Sequence, residues 1–294
     1  PGPPVPAPIP FLARLEARLE AYFRTRSFRH GAVLLLAVYA AAALSFHQSG
    51  SRSLVYLDWD TKVIAHRGSV FAAPENTLPA IRHAIEEGAD AVEVDVQLTR
   101  DGVVVLHHDY TLERLAGVPL SVHELSYSEL AALELYGGVV GVPTARIATL
   151  KEALQEVKGK LPIVIEIKPY GNKLELARRT VELIRAEDMA GEVYVQSFDP
   201  EVLAAVRAEM PELRIGQILF AAIGDVSGLD VDVYTISQTM LSDRFLRRAH
   251  ERNREVWVWT VNIERNMREV LKYDVDGVIT DFPAKLRSLV GIAD

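Results

Sequence analysis

The sequence predicts an α/β fold: a TIM-type (β/α)8 barrel with one extra antiparallel hairpin strand, preceded by an amphipathic helix and a transmembrane helix. Short apolar stretches with strand character start near Lys62, Ala91, Ile163, Val193, Ile215, Val233, Val256 and Val278. Helical patterns lie between most of them, at Leu78–Glu87, Leu174–Glu187, Pro200–Glu209, Ser242–Arg252 and Ile263–Lys272. Strand–helix alternation at this spacing indicates a parallel sheet. Eight such units in about 230 residues fit a closed barrel.

Several segments precede the barrel, which is predicted to occupy residues 62–294. Residues 1–10 are rich in proline and are expected to be extended. Residues 11–29 place apolar side chains such as Leu12, Leu15 and Leu19 at helical spacing among arginines and glutamates. This pattern predicts an amphipathic helix that lies along a membrane interface. Residues 49–61 are predicted to be a linker.

Residues 30–48 are predicted to form a single transmembrane helix, because Gly31–Phe46 carries no charge. That run is shorter than the ~20 residues that a bilayer span needs, but a helix that includes Phe28 and His47 could reach across with snorkelling ends. A cleaved signal peptide is one alternative, and a buried helix of a soluble core is another. Positive charges before the run outnumber those after it, which predicts a cytoplasmic N-terminus and a barrel outside the cytoplasm.

The stretch Val63–Asp109 contains residues suited to cleaving a phosphate ester with a hard metal ion. These residues stand among strand-forming ones and are His66, Arg67, Glu75, Glu93, Asp95, His107 and His108. Imidazole moves protons near neutral pH, and carboxylate oxygens suit Ca²⁺ or Mg²⁺. Arginine offers a planar fork to a phosphate anion.

The same stretch predicts the extra hairpin strand. Two strand-like runs flank the turn signal Arg100-Asp101-Gly102, and this link is too short for a parallel crossover. With a loop at Arg100–Val103, Asp95 faces His108, and the two side chains share a sheet face. A loop one residue shorter would place His107 there instead, and the pattern alone allows both.

Three carboxylates are candidates for a metal site. Glu93 and Asp95 are two residues apart, so their side chains lie on one strand face and repel each other unless a cation or proton separates them. A solvated strand face is the alternative. Glu166 lies inside the apolar run Ile163–Ile167, with Lys168 on the same face. The pair is either a structural ion pair or a metal ligand beside a phosphate-binding cation.

Polar and aromatic residues also follow the later predicted strands, at Gln196–Asp199, Val258–Asn262 and Asp276–Pro283. Active sites of barrels lie at the C-terminal ends of the strands, so these segments are expected to border the site. Trp257 and Trp259 share a strand face, and at least one of them is expected to pack in the barrel core.

Bulk composition excludes several classes of function. A net charge of −8 argues against nucleic-acid binding by the whole chain. The absence of cysteine excludes disulfides, thiol catalysis and a cysteine zinc site. The arginines of residues 11–29 would suit an anionic lipid surface. Nothing in the sequence fixes the oligomeric state.

The chain resembles glycerophosphodiester phosphodiesterases, as a membrane-anchored member, over Lys62–Val290. The matching motifs are HRG at His66–Gly68, PENT at Pro74–Thr77, EVDV at Glu93–Val96, HD at His108-Asp109, EIKP at Glu166–Pro169, QSF at Gln196–Phe198, WTVN at Trp259–Asn262 and ITDFP at Ile279–Pro283. Each motif alone is weak, but the ordered set is specific. The resemblance implies a TIM-type barrel, a divalent metal, Ca²⁺ or Mg²⁺, and cleavage of glycerophosphodiesters to glycerol 3-phosphate and an alcohol.

The resemblance also implies the roles of single residues. His66 and His108 match the catalytic acid–base pair, and Glu93, Asp95 and Glu166 match the metal ligands. Four further residues match substrate- or phosphate-binding positions, namely Arg67, Lys168, Glu75 and Trp259. His107 is interpreted as structural, because alternation points it away from His108.

Two departures from the family pattern bear on the substrate. Phe71 stands where the family often has a small residue, which suggests a more apolar alcohol side. Tyr136–Leu150 is short and glycine-rich where relatives often carry a longer insertion, which suggests an open site.

Three functions follow from these observations. The first is hydrolysis of glycerophosphodiesters, in which one histidine takes the proton of the glycerol 2-hydroxyl and the other protonates the departing alcohol. The second is lysophospholipase D-type cleavage of lysophospholipids at the membrane. The third is a non-catalytic, membrane-tethered protein that binds phosphate esters, which the complete set of motif residues disfavours.

Overall fold

The computed structural model describes residues 60–137, 141–221, 226 and 228–290. The predicted proline-rich segment at 1–10, the amphipathic helix at 11–29, the transmembrane helix at 30–48 and all but the end of the linker at 49–61 lie outside the described residues. Within the described ranges, no helix combines the length and the apolar character that a membrane crossing requires.

The central feature of the fold is a closed parallel barrel with one antiparallel strand at its side. The strands are β1 (Lys62–Ala65), β2 (Ala91–Leu98), β3 (Val104–Leu106), β4 (Thr111–Leu112), β5 (Val118–Ser121), β6 (Ile163–Ile167), β7 (Val193–Ser197), β8 (Arg214–Leu219), β9 (Val233–Ser237), β10 (Glu255–Trp259) and β11 (Gly277–Thr280). In the main sheet the order is β1-β11-β10-β9-β8-β7-β6-β2-β3, and β1 also pairs with β2, which closes the barrel. All strand pairs of this main sheet are parallel except β2–β3. β4 and β5 form a separate antiparallel pair. The predicted barrel with an extra hairpin strand is therefore confirmed.

Helices follow most barrel strands and cover the outside of the sheet. They are α1 (Leu78–Glu86), α2 (Glu113–Ala116), α3 (Tyr127–Ala131), α4 (Leu150–Val157), α5 (Lys173–Ala186), α6 (Pro200–Glu209), α7 (Asp243–His250), α8 (Glu264–Val270) and α9 (Pro283–Val290). Side-chain caps fix several starts: Thr149 and Glu152 form a capping box at α4, and Asp199 caps α6 ahead of Pro200.

The barrel interior is apolar at the N-terminal end of the strands. Its buried residues are Ile64, Ala91, Val164, Tyr194, Val233, Trp257 and Ile279. Trp257 is 1% exposed, so the expectation that a tryptophan packs in the barrel core is confirmed. Side chains two residues further along the strands share this face. They include Glu93, Glu166 and Gln196, so the interior becomes polar towards the C-terminal end.

The predicted register of the β2–β3 hairpin is wrong by one residue. Leu98 lies opposite Val104, and the amide of His107, not of His108, bonds to the carbonyl of Asp95. The reason is a three-residue loop that ends at Gly102, whose φ of 82° is left-handed. The shorter alternative register is therefore the one the chain adopts.

Candidate active site

Three buried carboxylates lie together at the C-terminal end of the barrel. Glu93 and Asp95 come from β2 and Glu166 from the neighbouring strand β6, where Asp95 and Glu166 are register partners. One oxygen of each lies within 4.8 Å of the others. Their exposed fractions are 1%, 1% and 7%. The interpretation of Glu93 and Asp95 as a solvated strand face is therefore excluded.

The three carboxylates are buried and repel one another, so the cluster favours a bound proton or cation. Burial and the charges of Asp95 and Glu166 raise the pKa of Glu93 well above its usual value. Burial and the charge of Asp95 raise the pKa of Glu166 to about 7. Burial acts the same way on Asp95, but Lys168 and Arg67 outweigh it and lower the pKa of that carboxyl. An all-oxygen donor set of this kind fits a hard divalent cation.

Two cations flank the carboxylates. Lys168 Nζ lies 2.5 Å from Glu166 Oε1 and 2.8 Å from Asp95 Oδ1. Arg67 Nε lies 3.3 Å from Asp95 Oδ2, and the Arg67 amide donates to Glu93 at 3.0 Å. The Glu166–Lys168 ion pair predicted as the simpler alternative is therefore present, and it is part of the carboxylate site rather than separate from it.

A tight turn holds Arg67 over the carboxylates. Arg67 has φ 56° and Gly68 has φ 84°, both left-handed. A Cβ at Gly68 would lie 2.7 Å from the carbonyl carbon of Ala80 in α1, so only glycine fits there. The glycine of the HRG motif thus permits the close approach of this loop to α1.

His66 is held by a carboxylate. Its Nδ1 lies 2.6 Å from Asp281 Oδ1, in the loop after β11. Asn262 fixes Asp281 in turn: its Nδ2 donates to Oδ2 at 2.5 Å, and its Oδ1 accepts the Asp281 amide at 2.9 Å. With Nδ1 engaged, Nε2 is the ring nitrogen left for substrate.

His108 is held in the same way from the other side. Its Nδ1 lies 2.7 Å from Asp109 Oδ1. Burial lowers the pKa of His108, and the cations Lys168 and Arg67 add to that effect against the attraction of Asp95. His107 is fully buried, and its Nε2 lies 3.1 Å from the carbonyl of Thr111. This burial supports the interpretation of His107 as structural.

Glu75 and Trp259 occupy the rim. Glu75 Oε1 accepts from Arg67 Nη1 at 2.8 Å, so Glu75 reaches the site through Arg67. Trp259 donates from Nε1 to the carbonyl of Thr235 at 3.0 Å. Its ring meets Phe198 edge-on, with centroids 5.6 Å apart, and Phe220 at 6.4 Å.

This arrangement agrees with the comparison to known proteins. The model of the glycerophosphoryl diester phosphodiesterase family matches residues 66–285. The chain belongs to this family.

Relatives and solved structures extend the match over the whole barrel. A glycerophosphodiester phosphodiesterase of Caldanaerobacter subterraneus subsp. tengcongensis is 32% identical over 239 residues, which cover 78% of this chain and 98% of the relative. A human lysophospholipase D is 28% identical over a match that covers 78% of this chain and 86% of the human protein. A phosphodiesterase of Oleispira antarctica, solved with the product sn-glycerol-3-phosphate, is 28% identical with a TM-score of 0.71 over 78% of this chain and 96% of that one.

The prediction that the chain is an enzyme, a glycerophosphodiester phosphodiesterase, is confirmed by these relatives. The structure brings the predicted ligands, cations and histidines together at one end of the barrel. The non-catalytic alternative is therefore set aside.

Several residues that support the site through hydrogen bonds have no role assigned from the sequence. Asn76 donates to Asp95 Oδ2 at 2.8 Å, and Gln196 lies 3.5 Å from Glu93 Oε1. Asn76, Asp109, Gln196, Asn262 and Asp281 all stand inside motifs that were recognised, so motif membership was the available signal. Arg114 stands outside those motifs, and its spacing gives no sign of its contacts.

Proposed function

We propose that this chain hydrolyses glycerophosphodiesters to glycerol 3-phosphate and an alcohol, with a divalent cation on Glu93, Asp95 and Glu166. The observation that carries the proposal is the cluster of three buried carboxylates, which favours a bound cation, beside two histidines that each contact an aspartate through Nδ1. When bound, the cation would polarise the phosphate and lower the pKa of a hydroxyl near it. Ca²⁺ and Mg²⁺ both suit the donors.

The chain's own residues supply the proton transfers. One of His66 and His108 takes the proton of the glycerol 2-hydroxyl as its oxygen forms a bond to phosphorus. The other gives a proton to the alcohol oxygen as the bond from phosphorus to that oxygen breaks. Water then opens the cyclic glycerol phosphate with the two roles exchanged. Arg67 and Lys168 stabilise the negative charge that grows on the phosphate oxygens.

Choline release from glycerophosphocholine tests this function. The full chain is expected to release choline, to lose activity in chelator and to regain it with Ca²⁺ or Mg²⁺. Glu93→Gln removes one charged ligand at nearly constant shape and should abolish turnover in a folded protein. Activity that persists in chelator, or in both Glu93→Gln and Glu166→Gln, would overturn the metal assignment.

A second candidate, lysophospholipase D-type cleavage, is favoured by exposed aromatic rings at the C-terminal end of the barrel. Phe71 is 47% exposed and stacks on Phe282 with centroids 4.3 Å apart. Phe198 and Phe220 are 43% and 69% exposed beside Trp259. Exposed aromatic groups of this kind mark surfaces for apolar ligands. Relatives from human, rat and mouse are named lysophospholipase D.

Comparing two substrates separates the candidates. If the apolar rim serves an acyl chain, lysophosphatidylcholine is the better substrate, and Phe220→Ala should weaken its cleavage while leaving that of glycerophosphocholine unchanged. Equal loss on both substrates, or none on either, would leave the first candidate.

Membrane anchoring through residues 11–48, with the barrel outside the cytoplasm, is also part of the proposal. Its support is the uncharged run Gly31–Phe46 and the excess of arginine before it. A barrel held at a membrane surface would meet lipid-derived phosphodiesters directly.

A further inference from the structure

The loop residue Arg114 contacts both sides of the active site at once. It belongs to α2, a helix of four residues between β4 and β5, outside the barrel wall. Its Nε donates to Asp109 Oδ2 at 2.6 Å. Its Nη1 and Nη2 donate to Glu75 Oε2 and Oε1 at 2.9 and 2.7 Å. All three guanidinium nitrogens are thus engaged, two of them as a fork on one carboxylate.

Each of these two carboxylates holds a residue of the reaction centre. The other oxygen of Asp109 meets Nδ1 of His108, and Glu75 Oε1 also accepts from Arg67. A continuous chain of charged hydrogen bonds therefore runs from His108 through Asp109, Arg114 and Glu75 to Arg67. Arg67 in turn contacts the carboxylates of the metal site.

Packing fixes Arg114 independently of these bonds. Its neighbour Leu115 is 4% exposed and packs in a small core with Leu112, Val122 and Leu130. The Arg114 side chain is 47% exposed, so water and small solutes reach it. Although burial opposes ionisation, the hydrogen bonds from Arg114 and His108 lower the pKa of Asp109 to about 2. Asp109 therefore stays charged and can accept a hydrogen bond from Nδ1–H of His108.

We infer that Arg114 is a positioning residue that fixes Asp109 against His108 and Glu75 against Arg67, and so keeps the acid–base group and the phosphate-binding group in register. The inference rests on the proposed function. By sharing the charge of Asp109, Arg114 also limits how strongly that carboxylate favours protonated His108. Lysine should replace it only in part, because one ammonium group lacks the planar fork that spans two carboxylates.

The test compares Arg114→Ala with Arg100→Ala in the full chain, on glycerophosphocholine with divalent cation present. Arg100 is a matched control, because it is 56% exposed and pairs with Glu129 of α3, a helix that packs in the same small core as Leu115. Arg114→Ala is expected to lower kcat/KM by roughly 10- to 100-fold, the scale for losing a residue that orients a reactive group. One limb of its pH profile should move to higher pH, because His108 then faces an unshared carboxylate. Arg114→Lys should fall between wild type and Arg114→Ala.

Chemical rescue separates positioning from a folding role. Added guanidinium ion should restore Arg114→Ala several-fold at concentrations that leave wild type, Arg100→Ala and His108→Ala unchanged. Loss of activity of the same size in both arginine variants, without rescue or a shifted limb, would assign Arg114 a merely structural role and overturn the inference. An Arg114→Ala variant as active as wild type would overturn it while the proposed function stands. A wild-type chain that cleaves no glycerophosphodiester overturns the proposed function, and the inference falls with it.

Discussion

Single hydrogen bonds decide how the two histidines of the proposed acid–base pair are oriented. His66 and His108 both bond an aspartate through Nδ1, but their aspartates differ in surroundings. Asn262 supports Asp281, whereas the cation Arg114 supports Asp109. The two rings therefore have different electrostatic environments, as an acid–base pair with distinct roles requires.

The first prediction concerns the histidines. His66→Ala and His108→Ala should each reduce kcat by roughly 10²-fold or more, the usual scale of general acid–base catalysis. His107→Ala should instead lower the melting temperature, because it empties a fully buried position. Steady-state kinetics and thermal melts of the three variants check this. A catalytic loss at His107 equal to that at His108 would contradict the assignment.

The second prediction concerns pH and metal removal. The folded-state pKa of Glu166 is raised to about 7, so without metal the folded protein binds more protons than the unfolded chain below that pH. Stability in chelator should therefore fall as pH rises through 7. Between pH 6.5 and 8 in chelator we expect the Tm of wild type to fall by roughly 2–4 °C relative to that of Glu166→Gln.

Two features make this pH window informative. The lowered pKa values of His107 and His108 act in the opposite sense within the same window, because the unfolded histidines titrate around pH 6.5. Glu166→Gln keeps both histidines, so its comparison with wild type isolates the contribution of Glu166. Divalent cation should raise the Tm of wild type more at pH 8 than at pH 6.5. A Tm that changes with pH in the same way in wild type and in Glu166→Gln, both in chelator, would refute the account.

At the scale of elements, three aspartates join neighbouring strands at the N-terminal end of the barrel. Asp90, Asp232 and Asp276 each stand directly before a barrel strand. The carboxylate of each accepts a hydrogen bond from an amide in the barrel strand before that one in sequence, at 2.7, 2.8 and 2.7 Å. A basic side chain contacts each of them, from Arg287, Arg207 and His250 respectively. These bonds give the three strand amides side-chain acceptors.

The third prediction tests one of these links. Asp232→Ala leaves the amide of buried Ile215 without its acceptor and removes the carboxylate that pairs with Arg207, which should lower the free energy of unfolding by about 1–2 kcal/mol. Urea unfolding measures it. Asp230→Ala is the control, since Asp230 is exposed in the same loop, and its effect should stay within about 0.5 kcal/mol. Equal effects at the two positions would show that the link contributes nothing.

At the scale of the whole molecule, the proposed membrane anchor at residues 30–48 predicts an orientation from the charges on either side of it. Arginines 14, 18, 24, 26 and 29 precede the run, against Arg52 and Lys62 after it. By the positive-inside rule we predict that the N-terminus lies in the cytoplasm and the barrel outside it.

The fourth prediction tests that arrangement. Protease added to intact cells should digest the barrel while a cytoplasmic marker protein stays whole. A barrel that is protected until the cells are lysed would reverse the orientation.

The sequence by itself determined the barrel, because strand and helix periodicities are local and their alternation leaves few topologies. It also determined which charged side chains share a strand face, since Glu93 and Asp95, like Glu166 and Lys168, are separated by one residue. The hairpin register needed the tertiary structure. Gly102 ends a three-residue loop, and the strand stops at Leu106, so alternation does not extend to His108.

Only the tertiary structure brought Asp281 to His66, and Arg114 to Asp109 and Glu75. His66 and Asp281 are 215 residues apart in the chain and meet because β1 and β11 are neighbours in the closed barrel. Arg114 lies in α2, which packs in a small apolar core of its own beside the barrel. No periodic pattern in the sequence encodes the position of that helix. Local patterns therefore specify the barrel and its facing residues, whereas closure and the packing of loops decide which side chains support them.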